Sequence, residues 1–456
     1  MELFDYARQV IDARRADGPV NRITNELTEV AEDLAVVESF SHVWIVRTEE
    51  GLVLFDTSGE RTAGRVVEAL RSWSSEPVHT LVYTHGHIDH VGGAGAFLAD
   101  AERRGHPRPQ VIGHRNVRPR FARYRATNGY NLAINRRQFA PGRRIEGFGL
   151  GQDAQFLPSD TPDPDREIED TDVLEVGGQR FVLRHDRGET DDHLWTEWEG
   201  RNVLFVGDFL VWNFPNCGNP QKVLRYPAEW AAALRSMLAR SPELVAPAHG
   251  LPVPGLDRAG VVLDSTAGAL EGLVAAVIER LNADATLDEV LHEVRVPEEL
   301  LQLPWLRPFY DEPEFVVRNL WRTYGGWWDG NPAHLLPARE AAVASEVAEL
   351  AGGAGRLAER AQAVAESGDL RLACELVELA ATAAPEDAGV HRVRAEVYAR
   401  RRGQASSLMA KGIFEAAVPS RPTSRASRSP RCRGFARWRD RQASPVWPVA
   451  MAAAQR

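Results

Sequence analysis

The chain has 456 residues, 44% hydrophobic and 26% charged, an ordinary globular composition with room for two or three domains. Its formal net charge of −10 argues against a nucleic-acid surface on the main body and repels anionic substrates at long range, so local positive charge from metal or arginine has to overcome it. Cys217, Cys374 and Cys432 are odd in number and far apart, which excludes a disulfide framework or a thiolate zinc cluster and leaves histidines and carboxylates for any metal.

The start, MELFDYARQVIDARR, is amphipathic and charged, without the apolar stretch of a secretory signal, and no run of about 18 apolar residues is read along the chain. A soluble, cytoplasmic protein without a membrane partner is expected. After an N-terminal extension over 1–30, short β-type runs follow: HVWIVRT, GLVLFDT, VHTLVYT, PQVIGH, QRFVLRH, HLWTEWEG, RNVLFVGD and ELVAPAHG. Each is rich in Val, Leu, Ile or aromatics and bounded by turn residues. Helical periodicity lies between several of them, as in RTAGRVVEALRSW and PAEWAAALRSMLARS. Strands mixed with covering helices predict an α/β layered domain over 31–253. Over 257–416 the pattern turns all-helical, with VVLDSTAGALEGLVAAVIERLN, EVAELAGGAGRLAERAQAVAES and LRLACELVELAATAA, and a helical hairpin follows with no second copy at a fixed period. The stretch 417–456 is basic and rich in Ser and Pro, and it is expected to be disordered because it cannot bury enough apolar surface.

The strand LVYT runs straight into Thr84-His85-Gly86-His87-Ile88-Asp89-His90. A catalytic zinc takes neutral imidazole and carboxylate ligands and keeps a position open for water. His85, His87, Asp89 and His90 offer such groups within one short segment. By period-two alternation at a strand end, His85 and His87 point the same way, while Asp89 and His90 turn back from the loop toward a neighbouring site, so adjacent metals can share the segment. Gly92 and Gly93 permit the tight turn into the helix AGAFLADAERR.

The spacing HxHxDH after a strand, with Leu54-Phe55-Asp56-Thr57 upstream, resembles the metallo-β-lactamase superfamily over the whole first domain. The resemblance implies an αββα sandwich holding two zinc ions per chain. The family's next ligand sits in a Gly-His-Thr segment, and the matching place here reads Gly188-Glu189-Thr190-Asp191-Asp192-His193. Glu189 thus stands where His is usual; a carboxylate ligates zinc but makes it a weaker Lewis acid. Asp192 and His193 are rivals for that role, and His193 is otherwise expected to face the substrate as a catalytic residue beside Asp89. The bridging carboxylate follows VLFV, which points to Asp208, and the last ligand ends ELVAPAHG, which points to His249. The implied set is His85, His87 and Glu189 on one zinc, Asp89, His90 and His249 on the other, and Asp208 between them. Asp56 is expected to orient a ligand imidazole by accepting its free N–H. Such a metal pair supplies a water of lowered pKa and stabilises developing charge, which implies hydrolysis.

In the helical half, Tyr324-Gly325-Gly326-Trp327-Trp328-Asp329-Gly330-Asn331-Pro332-Ala333-His334-Leu335-Leu336-Pro337 resembles the dimerisation domain of the alkylsulfatases of this superfamily. Glu189 in place of His is also a feature of that group. The resemblance implies a homodimer that splits small anionic esters, alkyl sulfates, into alcohol and sulfate. Such a substrate needs an apolar channel and cationic or amide donors. Tyr124, Asn128, Tyr130 and Asn135 among several arginines, and Asn213, Asn216 and Asn219 after Asp208, are the candidates to bind it. The chain departs from the group where Asp208 replaces Glu, in the loop WNFPNCGNPQKVLRYP, and in lacking a recognisable lipid-carrier-like third domain. The alternatives are hydrolysis of another ester, phosphoester, lactone or thioester, and a non-catalytic dimeric interaction protein.

Overall fold

The computed structural model describes residues 3–139 and 155–418. Most of the basic stretch 417–456, including Cys432, lies outside the described residues. In chain order the strands β1 (Leu27–Ala31), β2 (Leu34–Val37), β3 (Val43–Thr48), β4 (Gly51–Phe55), β5 (Val78–Val82), β6 (Gln110–His114) and β7 (Arg166–Ile168) form one sheet, adjacent in that order. Its first half is an antiparallel meander, and from β4 to β7 the pairing is parallel. Parallel neighbours require crossovers, which the helices Glu60–Trp73 and Ala94–Arg104 supply. The strands β8 (Thr171–Val176), β9 (Gln179–His185), β10 (Leu194–Trp198), β11 (Val203–Gly207), β12 (Leu244–Pro247) and β13 (Val253–Pro254) form a second sheet, in which β11 and β12 are parallel.

Alternation along β3 and β4 explains the layering. Trp44, Val46, Val53 and Phe55 face the second sheet, where Phe55 stacks on Phe205 with ring centres 3.8 Å apart. Ile45, Leu52 and Leu54 point the other way, against Val66, Val67 and Leu70 of the helix Glu60–Trp73. Both faces of the sheet are therefore buried, which is why these strands read as near-continuous apolar runs. Outside the second sheet lie the helices Pro227–Leu238 and Leu256–Asn282. The result is an αββα sandwich. Its functional edge is where β4, β5, β11 and β12 all end.

Three expectations change. Residues 3–30 are part of the sandwich body: the helix Leu3–Ala13 sends Leu3, Tyr6, Ala7, Val10 and Ile11 into the main core. The helix Leu256–Asn282 is long and apolar enough by composition to cross a membrane, contrary to the reading that no such run exists. Its Val262, Leu263, Leu270, Leu273 and Val277 are buried in the core it shares with the sandwich, the environment of a core helix. The stretch EVAELAGGAGRLAERAQAVAES is two helices, Glu340–Leu350 and Ala354–Glu366, because Gly352 and Gly353 take φ of +83° and +115°, a backbone that side-chain-bearing residues rarely adopt. These helices pack with Leu370–Ala383 and Ala388–Gln404 into a bundle with its own small apolar clusters.

Candidate metal centre and active site

Each strand end delivers one part of the site. After β4, Asp56 sits at φ +65°, turning its carboxylate toward the end of β5. There it accepts the Thr84 amide (2.8 Å), the Thr84 hydroxyl (2.9 Å) and the His90 Nδ1 proton (2.8 Å). After β5, His87 caps the helical turn Ile88–Val91, which carries Asp89 and His90. Gly93 closes this loop against the one after β4: a Cβ there would lie 2.1 Å from the Thr57 carbonyl oxygen. At the end of β11, Gly207 at φ +52° brings Asp208 under the histidines, and a Cβ there would strike His193 and Thr84. After β12 comes His249, edge-on to Phe40 with ring centres 5.6 Å apart.

The side chains converge in three overlapping groups: His85, His90 and Asp208; Asp89, His90 and His249; and His87, Glu189 and Asp208. His90 Nε2 is 3.4 Å from Asp208 Oδ1 and 3.6 Å from Asp89 Oδ2, and His249 Nε2 is 3.4 Å and 3.5 Å from Asp89 Oδ2 and Asp208 Oδ1. His87 Nδ1 is 3.5 Å from Glu189 Oε1 and 2.9 Å from His85 Nε2, so His85 lies between the groups. Asp208 belongs to two of them, as a bridging carboxylate must.

The donor set fits divalent cations. His90 Nε2, Asp208 Oδ1 and Glu189 Oε2 are buried without a hydrogen-bond partner, which is costly unless a cation completes them. Glu189 Oε1 is occupied by Arg225 Nη1 and by Asn216 Nδ2 at 2.6 Å, leaving Oε2 as the atom for a metal. The charges agree. Burial and the neighbouring Asp208 push the Glu189 carboxyl up to about 8 against the pull of Arg225. Burial also disfavours charge on His90, but Asp208, Asp56 and Asp89 hold its imidazolium well above the usual range. Crowded carboxylates that hold protons on nearby imidazoles are a site that a metal would occupy by displacing those protons.

Asp192 stands outside the three converging groups. Its Oδ2 accepts Arg120 Nε at 2.6 Å and the Gly86 amide at 3.1 Å, and Arg120 also pairs with Asp191. This buried clamp holds the backbone between His85 and His87. His193 differs from its expected place at the substrate: it is fully buried, its Nε2 accepts the Asp208 amide at 3.2 Å, and its ring stacks on Phe209. Burial holds its pKa down to about 3. A neutral ring spent on an amide is a positioning residue for the Gly207–Asp208 turn.

A cavity of about 290 Å³ opens over the centre. His87, Asp89, Glu189, Asp208 and His249 form its polar floor, and Tyr124, Asn135, Asn213, Asn216 and Asn219 line it, with Phe139, Phe156, Phe309 and Leu408 supplying apolar wall. Asn128 and Tyr130 do not line it. The Asn128 side-chain oxygen Oδ1 accepts the Phe156 amide at 2.6 Å, fixing a loop, and Tyr130 is 59% exposed outside. Lys222 and Arg225 line the cavity and were missed, although both stand in the loop after Asp208, where basic residues next to a carboxylate-rich centre are a signal. Phe309, Tyr310 and Leu408 come from the helical half, far away in sequence.

Residues 36–249 match the family model of the metallo-beta-lactamase superfamily. Those residues carry a metallo-beta-lactamase domain, the class that a sandwich with histidines and carboxylates gathered at its strand ends defines. Residues 286–420 match a second model, alkyl sulfatase dimerisation, so a helical domain of alkylsulfatase type is joined to the first. A linear primary-alkylsulfatase of Pseudomonas sp. (strain ATCC 19151) is 26% identical over 377 residues, covering 79% of this chain and 70% of that protein. An (R)-specific secondary-alkylsulfatase of Pseudomonas sp. is 23% identical, covering 74% of this chain and 53% of its own length. The solved structure of the stereoselective inverting sec-alkylsulfatase Pisa1 from Pseudomonas sp. superposes with a TM-score of 0.75 at 23% identity, over 87% of this chain and 65% of that one. The shared fold covers both the sandwich and the helical domain.

Proposed function

We propose that the protein is a binuclear zinc hydrolase that cleaves alkyl sulfates to an alcohol and inorganic sulfate. The observation that carries this reading is the joining, in one cavity, of a convergent His/Asp/Glu centre with an aromatic and aliphatic wall. The alkylsulfatases among its relatives support the choice of ester. His85, His87 and Glu189 would hold one zinc and Asp89, His90 and His249 the other, with Asp208 shared. Bound there, the metals supply Lewis acidity and a water of lowered pKa. The protein's own residues do the rest. Asp56 keeps the His90 Nδ1 proton in place, so that Nε2 presents a lone pair. Arg225 and Asn216 orient Glu189, and Asp89, facing the cavity, is placed to accept a proton from the attacking water. The apolar wall excludes bulk solvent around the alkyl chain.

The protein is further proposed to be a homodimer. In the helical domain Trp327 is 67% exposed, Leu336 90% and Leu350 88%, and a second copy would cover such side chains; the match of residues 286–420 to the alkyl sulfatase dimerisation model supports the same reading. Light scattering at working concentration is expected to give a dimer.

The test of activity is sulfate release from dodecyl sulfate by metal-loaded protein, with elemental analysis and a chelated control. Chelator-sensitive release with close to two zinc ions per chain is expected, and Asp89→Ala is expected to abolish it. Unchanged turnover in Asp89→Ala refutes the assignment.

A further inference from the structure

The cations lining the cavity differ in what already neutralises them. Arg225 is ion-paired with Glu189 and donates to the Asn216 carbonyl, and Arg22 is paired with Glu38 at 3.1 Å. Lys222 has no ion-pair partner among the described residues. Its Nζ donates to the neutral Asn135 side-chain carbonyl at 3.2 Å and lies 5.4 Å from the centre of the Phe156 ring. Burial, with Arg225 nearby, brings its amine down to about 8 against the pull of Asp89 and Glu189, as for a desolvated ammonium that has no direct ion pair. Phe139, Phe156, Phe309 and Leu408 line the same cavity. A desolvated cation held by a neutral amide beside an apolar wall is complementary to an amphiphile with an anionic head.

We propose that Lys222, oriented by Asn135, receives the anionic head of the substrate and sets the preference for an oxyanion ester over a neutral one. The inference rests on the hydrolase reading above and adds to it the residue that selects the substrate's charge.

The probe is octyl sulfonate, an unreactive analogue with the same charge and tail, titrated calorimetrically into metal-loaded wild type and Lys222→Met, with 1-octanol as the neutral control. Lys222→Met is expected to weaken sulfonate binding at least about tenfold, with metal content and octanol binding unchanged, and Lys222→Arg to recover most of the loss. Equal sulfonate affinity in wild type and Lys222→Met overturns the proposal. A parallel loss of octanol binding also overturns it, because it reports a damaged cavity rather than a missing charge. Octyl phosphonate and octanoate, titrated alongside, tell which oxyanion the site prefers; each supports the proposal if its binding also depends on Lys222. The two readings fail separately. Lys222-dependent sulfonate binding without sulfate release keeps the anion site and removes the sulfatase. Sulfate release with an unchanged KM in Lys222→Met does the reverse.

Discussion

Replacing Asp56 with Asn tests how the centre is oriented, because the change is nearly isosteric and removes only charge and acceptor capacity. The carboxylate takes donors on both oxygens: the Thr84 amide on Oδ1, and the Thr84 hydroxyl and His90 Nδ1 on Oδ2. An asparagine has one acceptor oxygen. If that oxygen faces Thr84, the NH2 faces His90 and forces its proton from Nδ1 to Nε2, the atom 3.4 Å from Asp208 Oδ1 that must carry a lone pair to bind a metal. If the oxygen faces His90, the buried Thr84 amide meets a donor and is left unsatisfied, at a cost of about 1–3 kcal/mol. Loss of such an orienting group costs about 10–100-fold in metal affinity. Competition with a chromophoric chelator should show that weakening in Asp56→Asn, and denaturant unfolding of the metal-free variant should show the smaller stability loss. Wild-type metal affinity together with wild-type stability would refute the argument that Asp56 sets the His90 tautomer.

Arg120→Met leaves Asp192 buried without its 2.6 Å partner and should cost about 3–5 kcal/mol, seen as a lowered urea midpoint; an unchanged midpoint would show that the clamp on Gly86 is dispensable. Gly93→Ala places a Cβ where only 2.1 Å separates it from the Thr57 carbonyl oxygen, so the loops must part; reduced metal content is expected, and full occupancy would contradict the role given to this close approach. His114 is held at about 4, first by burial and then by the stacked His185, below its ordinary 6.5. The unfolded chain therefore binds the proton more readily, and the contribution of His114 is complete above pH 6.5 and lost as the pH falls through about 4. Unfolding midpoints measured from pH 7 down to pH 4 should fall more steeply for wild type than for His114→Gln, and superimposable profiles would remove the assignment.

Much of the centre was legible because its ligands sit where local chemistry is written in short segments. The spacing from His85 to His90, Asp208 after VLFV and His249 before Gly250 each mark the point at which an apolar strand stops and polar residues begin, and strand ends are where a layered fold gathers its functional groups. The strands read from the sequence are those with long apolar runs, buried on both faces. The strands β2, β7 and β13 carry too few residues for a periodicity to stand out, and β1 and β8 are mostly exposed or half-buried, so their apolar signal is weak. The surroundings of His193 were not legible for a related reason: its position beside Glu189 is a fact of sequence, whereas its partner, the Asp208 amide, follows another strand.

What the sequence by itself determined is the class of chemistry: which side chains are available as ligands, in which short segments, and on an α/β scaffold followed by helices. What only the tertiary structure decided is how those ligands overlap into adjoining groups, which asparagines turn into the cavity and which merely fix loops, and that Lys222, Phe309 and Leu408 share one wall. The division has a physical cause. Ligand type and strand periodicity are local properties of consecutive residues, whereas a cavity is made by chain segments hundreds of residues apart, brought together by burial of a common apolar core that carries no local signature of what it will place side by side.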